Sequence, residues 1–136
     1  MTESELNKYR QLYRKAVSVL PNAFAPFSGF QVGAALLTKT GEVFLGVNVE
    51  NSSYGGTICA ERTACVKAIS EGFREFEALA VVSGGVSEGK GMAAPCGICR
   101  QFFYEFAPDL AVILGDDEEH LEIYSLKELL PKGFRL

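Results

Sequence analysis

At 136 residues, with 48% hydrophobic and 22% charged side chains, the chain is of ordinary globular composition, far from disorder and too short for two domains. A net charge of −4 and a pI near 5.0, with Lys and Arg scattered rather than clustered, argue against nucleic acid as a partner. No apolar run approaches the ~18 residues of a membrane span. The start Met1-Thr2-Glu3-Ser4-Glu5 is acidic where a signal peptide carries basic charge, so a cytoplasmic protein with no membrane partner is expected.

Thr2 and Glu5 have capping-box spacing, and Leu6, Tyr9, Tyr13, Ala16, Val17 and Leu20 recur at helical period, which predicts a first helix ended by Pro21 and Pro26. Phe30 to Thr38 reads as a strand in which Gly33-Ala34-Ala35 leave room for a close neighbour. A turn at Thr40-Gly41-Glu42 returns the chain into a second strand, Val43 to Val47. After the small-residue loop Ser52 to Thr57, a second helix is expected over Cys59 to Ser70, closed by Gly72. Ala78 to Ser83 is a third strand, and Gly84 to Gly91 a mobile glycine-rich loop. A third helix starts near Gly97, with Cys99, Phe102, Phe103 and Phe106 on one stripe. Leu110 to Leu114 and Leu121 to Tyr124 are strands joined by the acidic turn Gly115 to His120, and Leu126, Leu129 and Leu130 mark a short last helix.

The order α-β-β-α-β-α-β-β-α is that of an α/β protein, a three-layer α-β-α domain with a mixed five-stranded sheet spanning residues 1–136. Its β-α-β-α-β middle implies parallel strands joined by crossovers, with both crossover helices beginning beyond carboxyl ends of strands, where open sheets place ligands. Cys59 opens one of these helices and Cys96 the other, so two distant segments converge on one place.

Four readings compete for these cysteines, the plainest being ordinary core residues, against which stand two thiols at one helix start and a third at another. A lone C-x-x-C, here Cys96-Gly97-Ile98-Cys99, suits a redox pair, but such a pair has no use for Cys59 and Glu61. A structural zinc held by all four thiols would need Cys65, which lies ~9 Å of helix rise beyond Cys59, whereas a Zn–S bond is ~2.3 Å. Three thiolates, Cys59, Cys96 and Cys99, leave a fourth position open to water, the mark of a catalytic zinc site. An all-thiolate zinc is electron-rich, and two helix N-termini, Arg62 and the Arg100-Gln101 pair are expected to withdraw charge from the sulfurs. Glu61 is the candidate for proton transfer between water and a leaving group. Residues two apart in a helix point ~200° apart, so Cys59 and Glu61 converge only if Cys59 is the cap. Cys65 reads as a buried hydrophobe, and His120 as a solvated turn residue.

Over nearly its whole length the chain resembles the small, homotetrameric cytidine deaminases. The resemblance rests on five segments in order: Ala25 to Ala35, Gly46 to Asn51, Cys59-Ala60-Glu61-Arg62-Thr63-Ala64, Pro95 to Gln101, and Leu129 to Phe134. The family signature for a zinc deaminase is of this kind. The resemblance implies one Zn²⁺ per subunit on Cys59, Cys96 and Cys99, with Glu61 as the general acid/base. It implies that Phe30 packs on the cytosine base, that Asn48 and Glu50 hydrogen-bond the ribose hydroxyls, that the Ala60 N–H binds the ring carbonyl, and that the Ala94 carbonyl faces the amino group. It implies a homotetramer with shared active sites, to which Tyr54 and Phe134 contribute across subunits. Gly55-Gly56 departs from the family pattern, where one bulkier residue follows Tyr54.

The expected activity is hydrolytic deamination of cytidine and 2′-deoxycytidine, a small-molecule substrate class, in pyrimidine salvage. Asn48-Val49-Glu50 favours a ribose over the sugar-side chemistry of an antibiotic substrate such as blasticidin S. A non-catalytic zinc module is the alternative of another class, and Glu61 speaks against it.

Overall fold

The computed structural model describes residues 1–84 and 93–136. The mobile loop expected over Gly84 to Gly91 lies outside the described residues from Gly85 on. Among the described residues, four α-helices, α1 (Glu3–Val19), α2 (Ala60–Ser70), α3 (Gly97–Tyr104) and α4 (Leu126–Leu129), accompany five strands. The strands are β1 (Gln31–Thr38), β2 (Val43–Val47), β3 (Phe76–Gly84), β4 (Ala111–Gly115) and β5 (Leu121–Ser125). They form one sheet in the order β2-β1-β3-β4-β5.

β1 pairs antiparallel with both β2 and β3, β3 pairs parallel with β4, and β4 pairs antiparallel with β5. β2, β3 and β4 therefore run in one direction, as the β-α-β-α-β order implies. Only β3 and β4 are parallel neighbours, because β1 is inserted between β2 and β3.

Alternation along the strands builds two cores, since neighbouring side chains of a strand face opposite sides. Ala34, Leu36, Leu79, Val81, Val112 and Leu114 pack with Ala64, Ala68 and Phe103, towards α2, α3 and α4. Ala35, Leu37, Ala78, Ala80, Val82 and Ile113 face Leu12, Tyr13 and Ala16 of α1. This is the expected three-layer arrangement. On the α1 stripe, Leu12 takes a buried place while Val17 is exposed, because Val17 falls beyond the edge of the sheet-facing arc.

Two glycines set the layer spacing. A Cβ on Gly33 would come 2.5 Å from the Ala16 carbonyl oxygen, so α1 lies against bare β1 backbone. A Cβ on Gly46 would come 2.4 Å from both the Ala60 carbonyl oxygen and the Ala64 nitrogen. The first turn of α2 is thereby seated directly on β2.

Element ends agree with local chemistry. The Thr2 hydroxyl accepts from the Glu5 N–H at 3.1 Å to cap α1. Ser125 and Glu128 form a complete capping box on α4. β3 begins two residues before the expected Ala78, because Phe76 pairs with Thr38 across an irregularity in the register. In the acidic turn, exposed His120 pairs through Nδ1 with Asp117 at 2.9 Å.

Candidate active site

The loop from β2 to α2 is stitched in place by its backbone. Val49 and Ile58 exchange N–H···O bonds of 3.0 Å, and the Phe24 and Glu50 N–H groups donate to the Asn48 and Phe24 carbonyls. Ile58 immediately precedes Cys59, so this pairing delivers Cys59 to the carboxyl end of β2. Cys59 has φ −73° and ψ 153°, an extended N-cap, and helical geometry begins at Ala60. The condition for Cys59 and Glu61 to share one side is met. Cys96 has the same role on α3, with φ −69° and ψ 169°.

The Sγ atoms of Cys59, Cys96 and Cys99 all lie within 4.8 Å of one another. Cys59 Sγ and Cys96 Sγ are 3.7 Å apart. Two thiolates on a tetrahedral zinc with bonds of ~2.3 Å would stand about 3.8 Å apart, so the donor set fits the metal in both chemistry and spacing. Cys65 is not in this cluster; it is fully buried, and burial pushes its thiol up to about 12. The hydrogen bond from Cys99, opposed by burial and joined by Arg62 and Cys96, pulls the Cys59 thiol down to about 5. The same bond to Cys59, together with burial, pushes the Cys99 thiol up.

Arg62 Nη2 donates to Cys59 Sγ at 3.5 Å, while its buried Nε has no hydrogen-bond partner among the described residues. Arg62 thereby presents positive charge to the sulfurs from one turn into α2. Arg100 and Gln101 correct the sequence reading. Arg100 donates from Nε to the Pro95 carbonyl and from Nη1 to the Leu129 carbonyl, each at 2.7 Å, and Gln101 Nε2 donates to the Phe134 carbonyl at 3.1 Å. Their side chains hydrogen-bond backbone carbonyls rather than thiolates.

The Glu61 side chain is 4% exposed. Burial, partly offset by its hydrogen bonds and aided by the charge of Cys59, holds its carboxyl up at about 7. It faces Cys99 and lines a cleft of about 560 Å³ with Phe30, Asn48, Glu50, Cys59, Ala60, Ala94 and Cys96. The cleft therefore gathers eight of the sequence-nominated residues. Val32, Ile58, Val81 and Ala93 add an apolar lining. The arrangement offers an acid/base of near-neutral pKa, a soft metal site, and a polar wall on one side of an apolar slot.

The polar wall is rigid. Asn48 Oδ1 accepts from the Val32 N–H at 2.9 Å and Nδ2 donates to the Phe30 carbonyl at 2.8 Å. The amide thus extends the β1–β2 ladder by one step, keeping one N–H and one lone pair for a ligand. Glu50 Oε1 accepts from the Phe27 and Ser28 N–H groups at 2.9 and 3.1 Å, and Oε2 accepts from Ser28 Oγ at 2.5 Å. Ser28 also lines the cleft, and sequence reasoning missed its part; the signal was its place within the Ala25 to Ala35 segment.

Tyr54 is 85% exposed on a short 3₁₀ turn, Tyr54–Gly56, where a Cβ on Gly55 would meet nothing. It lines a second cleft with Phe27 that adjoins the first through Ser28, Glu50 and Thr57. Phe134 is 62% exposed on the tail over α3, where a Cβ on Gly133 would meet the Tyr104 ring at 2.7 Å. Within one chain neither aromatic lines the main cleft.

The family profile for the cytidine and deoxycytidylate deaminase zinc-binding region matches residues 6–115. A cytidine deaminase from Halalkalibacterium halodurans is 46% identical over 126 residues, covering 92% of each chain. A probable cytidine deaminase from Dictyostelium discoideum is 49% identical over 112 residues, covering 82% of this chain and 74% of its own. The crystal structure of a cytidine deaminase from Burkholderia pseudomallei superposes with a TM-score of 0.83 at 44% identity, covering 98% of this chain and all of that one. With its three-thiol cluster and buried glutamate in the segments these proteins share, the chain belongs to the cytidine and deoxycytidylate deaminase family.

Proposed function

We propose that the chain is a zinc-dependent hydrolytic deaminase of cytidine and 2′-deoxycytidine, releasing uridine or 2′-deoxyuridine and ammonia. The carrying observation is buried Glu61 beside the Cys59, Cys96 and Cys99 thiols, in a cleft whose opposite wall offers Asn48 and Glu50. Cys59, Cys96 and Cys99 would hold the zinc, which would supply the Lewis acidity that makes water a nucleophile. Glu61 takes one proton from the water that adds at C4 and delivers it to ring N3, then carries the proton of the resulting C4 hydroxyl to the amino nitrogen as the C4–N bond breaks and ammonia leaves, as a carboxyl poised near 7 can do in both directions. The Ala60 N–H, in the first turn of α2 where backbone donors have no intrahelical acceptor, holds the ring carbonyl. The Ala94 carbonyl receives the amino group, Phe30 packs on the base, and Asn48 and Glu50 take the sugar hydroxyls. Arg62 offsets thiolate charge.

Residues 1–136 act as one domain in this reading. It also places the protein in the cytoplasm and in pyrimidine salvage, as a homotetramer with active sites completed by neighbouring subunits. Support comes from the solvent-exposed Phe27, Phe30, Tyr54 and Phe134, aromatic surface that a partner would cover. Turnover of cytidine, 2′-deoxycytidine and blasticidin S, followed by loss of the cytosine absorbance band, tests the substrate. Both nucleosides should be consumed with equimolar ammonia, and a preference for blasticidin S would overturn the assignment.

A further inference from the structure

Arg100 is the best-connected side chain near the cluster that the reaction does not use. It lies in the first turn of α3, half-buried, and its guanidinium spans two carbonyls from distant parts of the chain. One is Pro95 O, the last acceptor before the α3 cap; the Cys96 carbonyl is taken by the Arg100 N–H at 2.9 Å. The other is Leu129 O, an acceptor left over at the end of α4. α4 is itself fixed by its capping box and by the Leu126 N–H bond to the Leu110 carbonyl at 2.8 Å, with Leu126 buried.

The Pro95 carbonyl and the Cys96 nitrogen belong to one planar peptide unit. Holding that oxygen sets the direction in which Cys96 leaves the loop and in which Ala94 meets the cleft. The guanidinium is a rigid planar fork, so two donors on it fix a plane where a flexible ammonium would fix a point. We infer that Arg100 is a positioning residue: it registers the Ala94-Pro95-Cys96 segment against α4 and so holds Cys96 in the geometry of the metal site. The inference rests on the zinc deaminase reading above, and it separates Arg100 from Arg62, whose contact is with sulfur.

The test uses the zinc-loaded full-length chain and its Arg100→Lys, Arg100→Gln and Leu12→Ala variants. Zinc release to excess chromophoric chelator, thermal midpoint and cytidine kcat/KM are measured on each. Leu12 is buried on the opposite face of the sheet and serves as a control for general loosening. Arg100→Lys and Arg100→Gln should both release zinc about tenfold faster and lose a similar factor in kcat/KM. Leu12→Ala should lower the midpoint while releasing zinc at the wild-type rate. Wild-type release from both Arg100 variants would overturn the inference. So would normal release from Arg100→Lys alone, which would assign the effect to charge, or release from Leu12→Ala as fast as from the Arg100 variants. If the wild-type chain left cytidine untouched, the reading of function would fall, and the release rates would still decide the role of Arg100.

Discussion

Glu61 is the one acidic side chain that the described fold buries, and it does so beside the sulfur cluster. Glu50 is its opposite: a carboxylate at the cleft wall, satisfied by Phe27 and Ser28. The Ser28 hydroxyl bond, opposed by burial and joined by the two backbone N–H groups, holds Glu50 below the ordinary carboxylate range. A depressed folded-state pKa means that this loop contact stabilises fully above the unfolded value of ~4.5 and is lost as pH falls through the lower folded one. Acid unfolding of the wild type and Glu50→Gln should therefore converge at low pH and separate above ~4.5; a constant separation would show that the contact does not depend on charge. At this scale the placement of Cys59, Glu61 and Arg62 was legible because it follows from spacing along one helix start. Arg100 and Gln101 were not, because their partners Leu129 and Phe134 lie about thirty residues away and a donor's target depends on where the tail folds.

At the scale of elements, the site is two helix N-termini brought together by the sheet. α2 reaches it because Gly46 lets its first turn rest on β2, and α3 because Pro95-Cys96 is braced from α4. Gly46→Ala would drive a methyl group into the backbone of Ala60 and Ala64, within the turn that carries Cys59 and Glu61. A loss of about 1–3 kcal/mol is expected, the usual cost of overpacking, with weaker zinc retention. Denaturant unfolding with metal analysis reads both, and an unchanged midpoint would contradict the close seating. The helices and strands were legible from period and turn residues to within a residue or two. The start of β3 is at the limit of that range, two residues early, because Phe76 pairs through an irregular register that alternation does not signal. The position of β1 between β2 and β3 was not legible, since the β-α-β-α-β order gives direction but not adjacency.

For the molecule as a whole, the exposed aromatics near the cleft bear on assembly. Sedimentation or native mass measurement should give about four times 14.8 kDa, and a stable 14.8 kDa species with full activity would refute shared sites. Deamination by this chain would join a three-thiol zinc to a glutamate acid/base. It is tested most directly by assaying cytidine turnover and bound zinc on the same samples of wild type and Glu61→Gln. The wild type should carry one zinc per chain and convert cytidine to uridine and ammonia. Glu61→Gln should keep its zinc and lose about 10²–10⁴-fold in kcat. Near-normal turnover by the zinc-loaded variant, or no turnover by the zinc-loaded wild type, would contradict the account.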